Sequence, residues 1–165
     1  MAIVSSDIKA YLSGGASNSN VNASLGGVKS SEVVPADALN NLWDQVSGDE
    51  SSAGDTEYRI IYIENDHASL EATNVRAFFK TNESSYLTIG VNVAKNTNAT
   101  LLTNEETAPS GVTFSAASTK ANAVSLGDLD HGDYRALYIK RVIPASTGPN
   151  DEVDWNIQIV ADTPE

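Results

Sequence analysis

Alternation of apolar and polar positions, the period of a β-strand, is the main pattern along this chain. It is clearest in "EYRIIYIE", "NVRAFFK", "YLTIGVNVA", "DYRALYIKRVI" and "EVDWNIQIV", and shorter examples are "DIKAYL", "GVTFSAA" and "NAVSLGDL". The first segment has two opposite faces, one with Tyr58, Ile60 and Tyr62 and the other with Arg59, Ile61 and Ile63. About eight strands separated by Gly, Asn, Asp and Pro turns predict an all-β fold, an antiparallel β-sandwich or jelly-roll-like domain.

A helical period occurs in "PADALNNLWDQV", residues 35–46. Behind Pro35, a favoured residue for a first helical turn, apolar side chains recur at helical spacing at Leu39, Leu42, Trp43 and Val46. The acidic, Gly-rich "SGDESSAGD" that follows is expected to end this helix. One short helix is therefore predicted before the first long strand.

The first 34 residues are rich in Gly, Ser and Asn and contain few large apolar side chains. Such a segment buries too little apolar surface to fold alone. We therefore expect an extended N-terminal arm (1–34) followed by a β-sandwich domain (35–165). Within the arm, "DIKAYL" predicts a short strand that pairs with a partner, and a loose terminus is the alternative. The predicted partner-binding residues are Asp7, Ile8, Lys9, Ala10, Tyr11 and Leu12.

Composition narrows the classes of function. The chain has 22 acidic and 10 basic residues, and its formal charge of -12 would repel the phosphates of nucleic acid. It has no Cys, which excludes disulfides and thiolate sites. No segment reaches membrane-spanning length, and the N-terminus does not have the pattern of a secretory signal. Neither nucleic acid nor membrane is an expected partner.

Candidate catalytic and metal-binding residues are few. His67 and His131 lie in predicted turns, away from any nucleophile motif, and both are expected to be solvated. In "GDLDHGDY" the carboxylates of Asp128, Asp130 and Asp133 have a spacing that suits Ca²⁺. The EF-hand Glu and flanking helices are missing there, so an ordinary acidic turn is the favoured interpretation. We expect no catalytic residue, no cofactor and no enzymatic activity.

Two segments resemble each other, "GDTEYRIIYIEN" from Gly54 and "GDYRALYIKR" from Gly132. The match pairs Tyr58 with Tyr134, Arg59 with Arg135 and Tyr62 with Tyr138. It predicts equivalent strands in the two halves of the fold, and chance similarity between strands of like burial is the alternative.

Several segments resemble a family of small virion structural proteins of tailed bacteriophages. They are "LSGGASNSN", "SLGGVKSS", "LNNLWDQVSGDESSAGDTEYRIIYIEN", "TAPSGVTFSAAS" and "LGDLDHGDYRALYIKR", with "GDTEYR" the most specific. The resemblance runs from about Leu12 to Arg141. It implies a capsid decoration, or cement, protein: a β-sandwich on the outer capsid surface that bridges subunits of the major capsid protein. No catalytic residues come with this family.

On this hypothesis the protein assembles in the host cytoplasm, resides in the virion and forms a homo-oligomer, expected to be a trimer. The alternative is a carbohydrate- or receptor-binding β-sandwich of a phage tail, neck or fibre. Trp43, Trp155 and the tyrosines would then stack on sugar rings. The periodicity around both tryptophans favours core positions instead.

Overall fold

The computed structural model describes residues 2–35, 41–82, 86–147 and 155–162. Its strands are β1 (Ile8–Tyr11), β2 (Asp55–Asn65), β3 (Ala72–Asn82), β4 (Leu87–Gly90), β5 (Val124–Leu129), β6 (Tyr134–Ile143) and β7 (Trp155–Asp162). An α-helix, α1, spans Gly48–Ala53. Single turns of 3₁₀ helix lie at Ser5–Asp7, Val21–Ala23 and Lys120–Asn122.

The strands form two antiparallel sheets, one with the order β1-β2-β6-β4 and one with the order β5-β3-β7. The longest pairing joins β2 and β6, from Asp55 opposite Ile143 to Glu64 opposite Tyr134. The prediction of an all-β fold is confirmed at this level. The finer assignment to a jelly-roll-like sandwich stays a prediction.

Each face of β2 packs into a different apolar cluster, because successive side chains of a strand point to opposite faces. The first cluster joins both sheets and includes Ile61, Ile63, Val75, Ala77, Phe79, Leu87, Ile89, Leu126, Leu129, Leu137 and Ile139. The second includes Tyr58, Ile60, Tyr62, Ala136 and Tyr138, covered by Ala99 and Leu102 from an irregular segment. Both faces of β2 are therefore buried from Glu57 onward.

The two similar segments are neighbours in one sheet, so the prediction that they occupy separate halves is wrong. Ile61 lies opposite Leu137, and the local twofold axis of the β2–β6 pair relates Tyr62 to Tyr138. Gly54 and Gly132, the first residues of the two copies, both have a left-handed φ, +79° and +78°. The similarity thus follows from two antiparallel strands that share the same two covered faces.

Two of the predicted strand segments are shorter or absent. The strand expected over residues 86–94 ends at Gly90, where a Cβ would lie 2.5 Å from the Thr113 carbonyl oxygen. Beyond it Val93 packs against the second cluster rather than the first. "GVTFSAA" forms only one isolated bridge, between Ser115 and Ile89. Val112 and Phe114 of this segment pack against the second cluster, so the segment covers the larger sheet without forming a strand of it.

The helix forms later in the sequence than predicted. Residues 41–46 are not helical, although Leu42, Trp43 and Val46 are buried, and 36–40 lie outside the described residues. Helix α1 begins instead after Ser47, whose hydroxyl accepts the Glu50 N–H while the Glu50 carboxylate accepts the Ser47 N–H. This capping box starts a helix in the segment that was expected to end one.

The N-terminal segment belongs to the larger sheet of its own chain. Strand β1 pairs with β2, with Ile8 opposite Asn65 and Tyr11 opposite Tyr62. On its outer side the Val34 N–H donates to the Ala10 carbonyl. Leu12 is only 1% exposed and packs in the first cluster. The strand predicted in "DIKAYL" is confirmed, and it joins the chain's own sheet rather than a partner's.

Candidate functional site

The six predicted partner-binding residues are held by contacts within the chain. The Asp7 carboxylate accepts the Val4 N–H, and Lys9 forms an exposed ion pair with Asp66. The hydrogen bond with Asp66 raises the pKa of Lys9 and lowers that of Asp66. The Lys29 ammonium lies 4.0 Å from the centre of the Tyr11 ring. A partner-binding role for Asp7–Leu12 stays a prediction.

Exposed apolar side chains are concentrated in this N-terminal segment. Among the described residues, the large apolar side chains in open contact with solvent are Val4, Val28, Val33 and Leu101. The first three belong to residues 1–34, and we call them the N-terminal valines. Val28 and Val33 are about half exposed, at 50% and 49%. They provide exposed apolar surface beside β1, which is already paired with β2 and accepts a hydrogen bond from Val34 on its other side.

The acidic turn predicted as a weak Ca²⁺ candidate binds a lysine instead. The Lys95 ammonium lies 2.6 Å from an Asp133 oxygen and 3.8 Å from an Asp130 oxygen. Asp128 accepts the Asn74 N–H at 2.7 Å. Burial raises the pKa of Asp133, but hydrogen bonds from Asn96 and Lys95 lower it, and the net effect is a pKa below the ordinary value. Intramolecular donors thus occupy carboxylates that a cation would need.

The two histidines differ. His131 is exposed, as the sequence predicts. His67 is 9% exposed, and its Nδ1 accepts the N–H groups of Ser69 and Leu70, so the prediction that it is solvated is wrong. Its ring stabilises the turn between β2 and β3, because it provides a hydrogen-bond acceptor for two backbone N–H groups of that turn.

A buried arginine–tryptophan stack was not predicted from the sequence. The guanidinium groups of Arg59 and Arg141 each lie 4.9 Å from the centre of the Trp43 ring. Arg59 donates to the Leu42 carbonyl at 3.1 Å and pairs with Glu105 at 2.6 Å. The sequence feature that could have indicated it is Arg59, which shares a strand face with Ile61 and Ile63. A charged side chain on a buried face needs a buried partner.

Glu57 is the buried acidic partner of Arg141. It is 1% exposed, and its Oε2 accepts hydrogen bonds from Arg141. Burial raises the pKa of Glu57 to about 7, although the Arg141 charge opposes the shift. Its Oε1 is buried and has no hydrogen-bond partner. One oxygen of a nearly solvent-free carboxylate is thus left unsatisfied.

The side chains considered for sugar stacking are placed differently from one another. Trp43 is 4% exposed and has guanidinium groups against its ring, so it presents no free face. Trp155 is half-buried and packs against the first cluster. Tyr138 lines a cavity of about 250 Å³ together with hydroxyl and amide side chains, among them Asn92, Thr103, Thr107 and Ser110.

In the described part of the chain, no helix has the length and apolar character needed to cross a membrane. Comparison of the chain with protein-family models, curated protein sequences and solved structures finds no match.

Proposed function

We propose that this chain is a non-enzymatic virion structural protein that decorates the capsid of a tailed bacteriophage and bridges its major capsid protein subunits. The observation that carries the proposal is the sequence resemblance, whose most specific block, "GDTEYR", spans Gly54–Arg59. This block opens β2, a central strand that is buried on both faces. The second half of the block, Glu57–Arg59, is buried, and a resemblance at buried positions is what a shared architecture produces, because packing determines these residues.

The surface chemistry supports an assembly role. A formal charge of -12 keeps copies of the protein apart in solution until a specific contact forms. The N-terminal valines provide apolar area for such a contact. Since β1 is already paired with β2, we propose that the contact uses these side chains rather than a free strand edge. Binding to capsid, as a homotrimer on the virion surface, would then cover Val28 and Val33.

A titration against undecorated capsids tests this function. We expect the protein to bind in a fixed ratio to capsid subunits, and the double variant Val28→Ser/Val33→Ser to bind at least tenfold more weakly, a loss of about 1.4 kcal/mol. Ala121→Ser is the control, since Ala121 is an exposed apolar residue on the 3₁₀ turn Lys120–Asn122, outside the N-terminal segment, and the change also adds a hydroxyl without changing the charge. Cryo-electron microscopy of the parent virion locates the protein independently. Its presence only in the tail would refute the capsid role.

A carbohydrate- or receptor-binding domain of a tail, neck or fibre is the second candidate. The cavity beside Tyr138 favours it, because hydroxyl and amide groups around one aromatic ring are typical of sugar sites. A glycan array tests it. Specific hits that disappear in Asn92→Ala and persist in the exposed-site control Lys80→Ala would support this function, and an array without hits would exclude glycan binding.

A further inference from the structure

We propose that Glu50, Asp55 and Glu57 form a Ca²⁺-binding site where α1 meets β2. One carboxylate oxygen from each residue lies within 4.8 Å of those from the other two. This is the one such group of three acidic or histidine side chains among the described residues. It is separate from the Asp128–Asp133 turn, whose carboxylates already bind Lys95 and backbone donors.

The local backbone brings these carboxylates together. Helix α1 ends at Ala53 and is capped by Gly54, whose N–H donates to the Glu50 carbonyl at 2.7 Å. Its left-handed φ of +79° turns the chain directly into β2, and a Cβ there would lie 3.0 Å from the Ala145 nitrogen. Asp55 and Glu57 are two residues apart on β2 and therefore point to the same face. A glycine turn thus places a helical carboxylate beside two strand carboxylates.

The unsatisfied oxygen of Glu57 is an independent sign of a missing ligand. Glu57 is 1% exposed, and its Oε1 has no hydrogen-bond partner. Buried carboxylate oxygens almost always have a donor or a cation, because burial without one costs the full desolvation penalty. The other oxygen, Oε2, is held by Arg141, so the carboxylate is fixed in orientation with Oε1 left for a second partner.

The charge balance also favours a cation. Neither Glu50 nor Asp55 forms an ion pair within the described part of the chain, and Arg141 is shared between Glu57 and Asp44. Glu50 Oε2 accepts the Ser47 N–H, and Asp55 Oδ1 accepts the Thr56 N–H at 2.7 Å. Each carboxylate therefore keeps one oxygen for a ligand. A divalent ion would neutralise the charge of Glu50 and Asp55, which have no ion-pair partner among the described residues.

Size and ligand chemistry select Ca²⁺. Three carboxylate oxygens form a hard donor set, which suits Ca²⁺ or Mg²⁺. Mg²⁺ is smaller, requires near-ideal octahedral geometry at about 2.0–2.1 Å and is usually held by one or two carboxylates, whereas Ca²⁺ accepts more oxygens in a flexible geometry at about 2.3–2.6 Å. The three carboxylate oxygens lie within 4.8 Å of one another, close enough for a single ion to bind all three, and a set of three carboxylates suits Ca²⁺. Glu50 and Asp55 are half-buried, so water has access to complete the coordination.

The test is thermal unfolding of EDTA-treated, dialysed protein at pH 8. With a dissociation constant of about 10⁻⁴–10⁻³ M, 10 mM CaCl₂ should raise the unfolding temperature by about 3–10 °C relative to KCl at equal ionic strength. MgCl₂ should raise it less. Asp55→Asn and Glu50→Gln should each reduce the Ca²⁺ affinity at least tenfold, measured by calorimetric titration.

Asp49→Asn is the matched control, because Asp49 is an exposed neighbour on α1 outside the cluster and its change removes the same charge. It should keep the full Ca²⁺ response. Circular dichroism checks each variant, and Glu50→Gln decides the result if Asp55→Asn does not fold. No rise with CaCl₂, or a full rise in a folded Glu50→Gln variant, would overturn the site. An equal rise with MgCl₂ would overturn the assignment to Ca²⁺. The measurement uses purified protein without capsid, so it is independent of the virion role.

Discussion

Glu57 and Arg141 lie opposite each other in β2 and β6 and form an ion pair with side-chain exposures of only 1% and 5%. Arg141 also donates to the Asp44 carbonyl and lies against the Trp43 ring. Removing one partner of a buried pair leaves an uncompensated charge. We therefore expect Arg141→Met to lower the free energy of unfolding by about 3–5 kcal/mol, measured by urea denaturation.

A double-mutant cycle separates the pair from general packing loss. Glu57→Gln combined with Arg141→Met should cost less than the sum of the single changes, because neither variant side chain then leaves a buried charge. Lys80→Met is the exposed control and should change stability by less than about 0.5 kcal/mol. Additive effects of the two changes would show that the pair does not act as a unit.

The Tyr62 hydroxyl joins the sheet to the segments that cover it. It donates to the Gly27 carbonyl at 2.5 Å and accepts the Ala99 N–H at 2.8 Å. Tyr62→Phe leaves both backbone groups without their partner, so we expect a loss of about 1–3 kcal/mol in unfolding free energy. Tyr134→Phe is the control, because its hydroxyl makes one exposed contact, to Asn98 at 3.3 Å. Equal losses in the two variants would contradict this role of Tyr62.

Tyr62 also predicts a loss of stability at alkaline pH. Burial raises the pKa of Tyr62 to about 12, against an ordinary value of about 10, although the Ala99 N–H opposes the shift. The folded state therefore holds this proton more tightly than the unfolded state, and the contribution is complete below pH 10 and lost between pH 10 and 12. The stability advantage of the wild type over Tyr62→Phe should shrink across this range in urea titrations. A constant difference would show that Tyr62 ionises equally in both states.

Gly26 is required by its conformation and by its surroundings. Its φ is +102°, and a Cβ would lie 2.5 Å from the Thr100 carbonyl oxygen. Gly26→Ala should therefore cost about 2–4 kcal/mol, the sum of left-handed strain and a backbone clash. At Gly132 the φ is +78° but no atom lies within 4 Å of the added Cβ, so Gly132→Ala should cost only about 1–2 kcal/mol. Equal losses would show that the Thr100 contact is relieved by a small shift.

The alternation of side chains predicted β2 and β6 well. Most side chains on both faces of these strands are buried, so apolar residues mark both faces in the sequence. They failed between Leu42 and Ala53, where apolar residues at helical spacing pack in irregular structure and a capping box starts the helix. The buried charges could not be paired from sequence either. Glu57 and Arg141 are 84 residues apart, and only the register of β2 and β6 brings them together.

Leu12 distinguishes an independent arm from a part of the fold. Its side chain is 1% exposed and packs in the first cluster, and its N–H donates to the Glu32 carbonyl at 2.9 Å. Leu12 therefore connects the start and the end of the N-terminal segment to the core. Leu12→Ala should therefore cost about 2–5 kcal/mol in urea denaturation, as core truncations do. Val33→Ala, at a position 49% exposed, should cost less than about 0.5 kcal/mol.

Deleting residues 2–34 removes β1 and the contacts of Leu12 together, so we expect the remaining chain to lose cooperative unfolding. A truncated protein that keeps β-type circular dichroism and a sharp transition, with Leu12→Ala near wild type, would show that residues 1–34 form the separate arm expected from their composition.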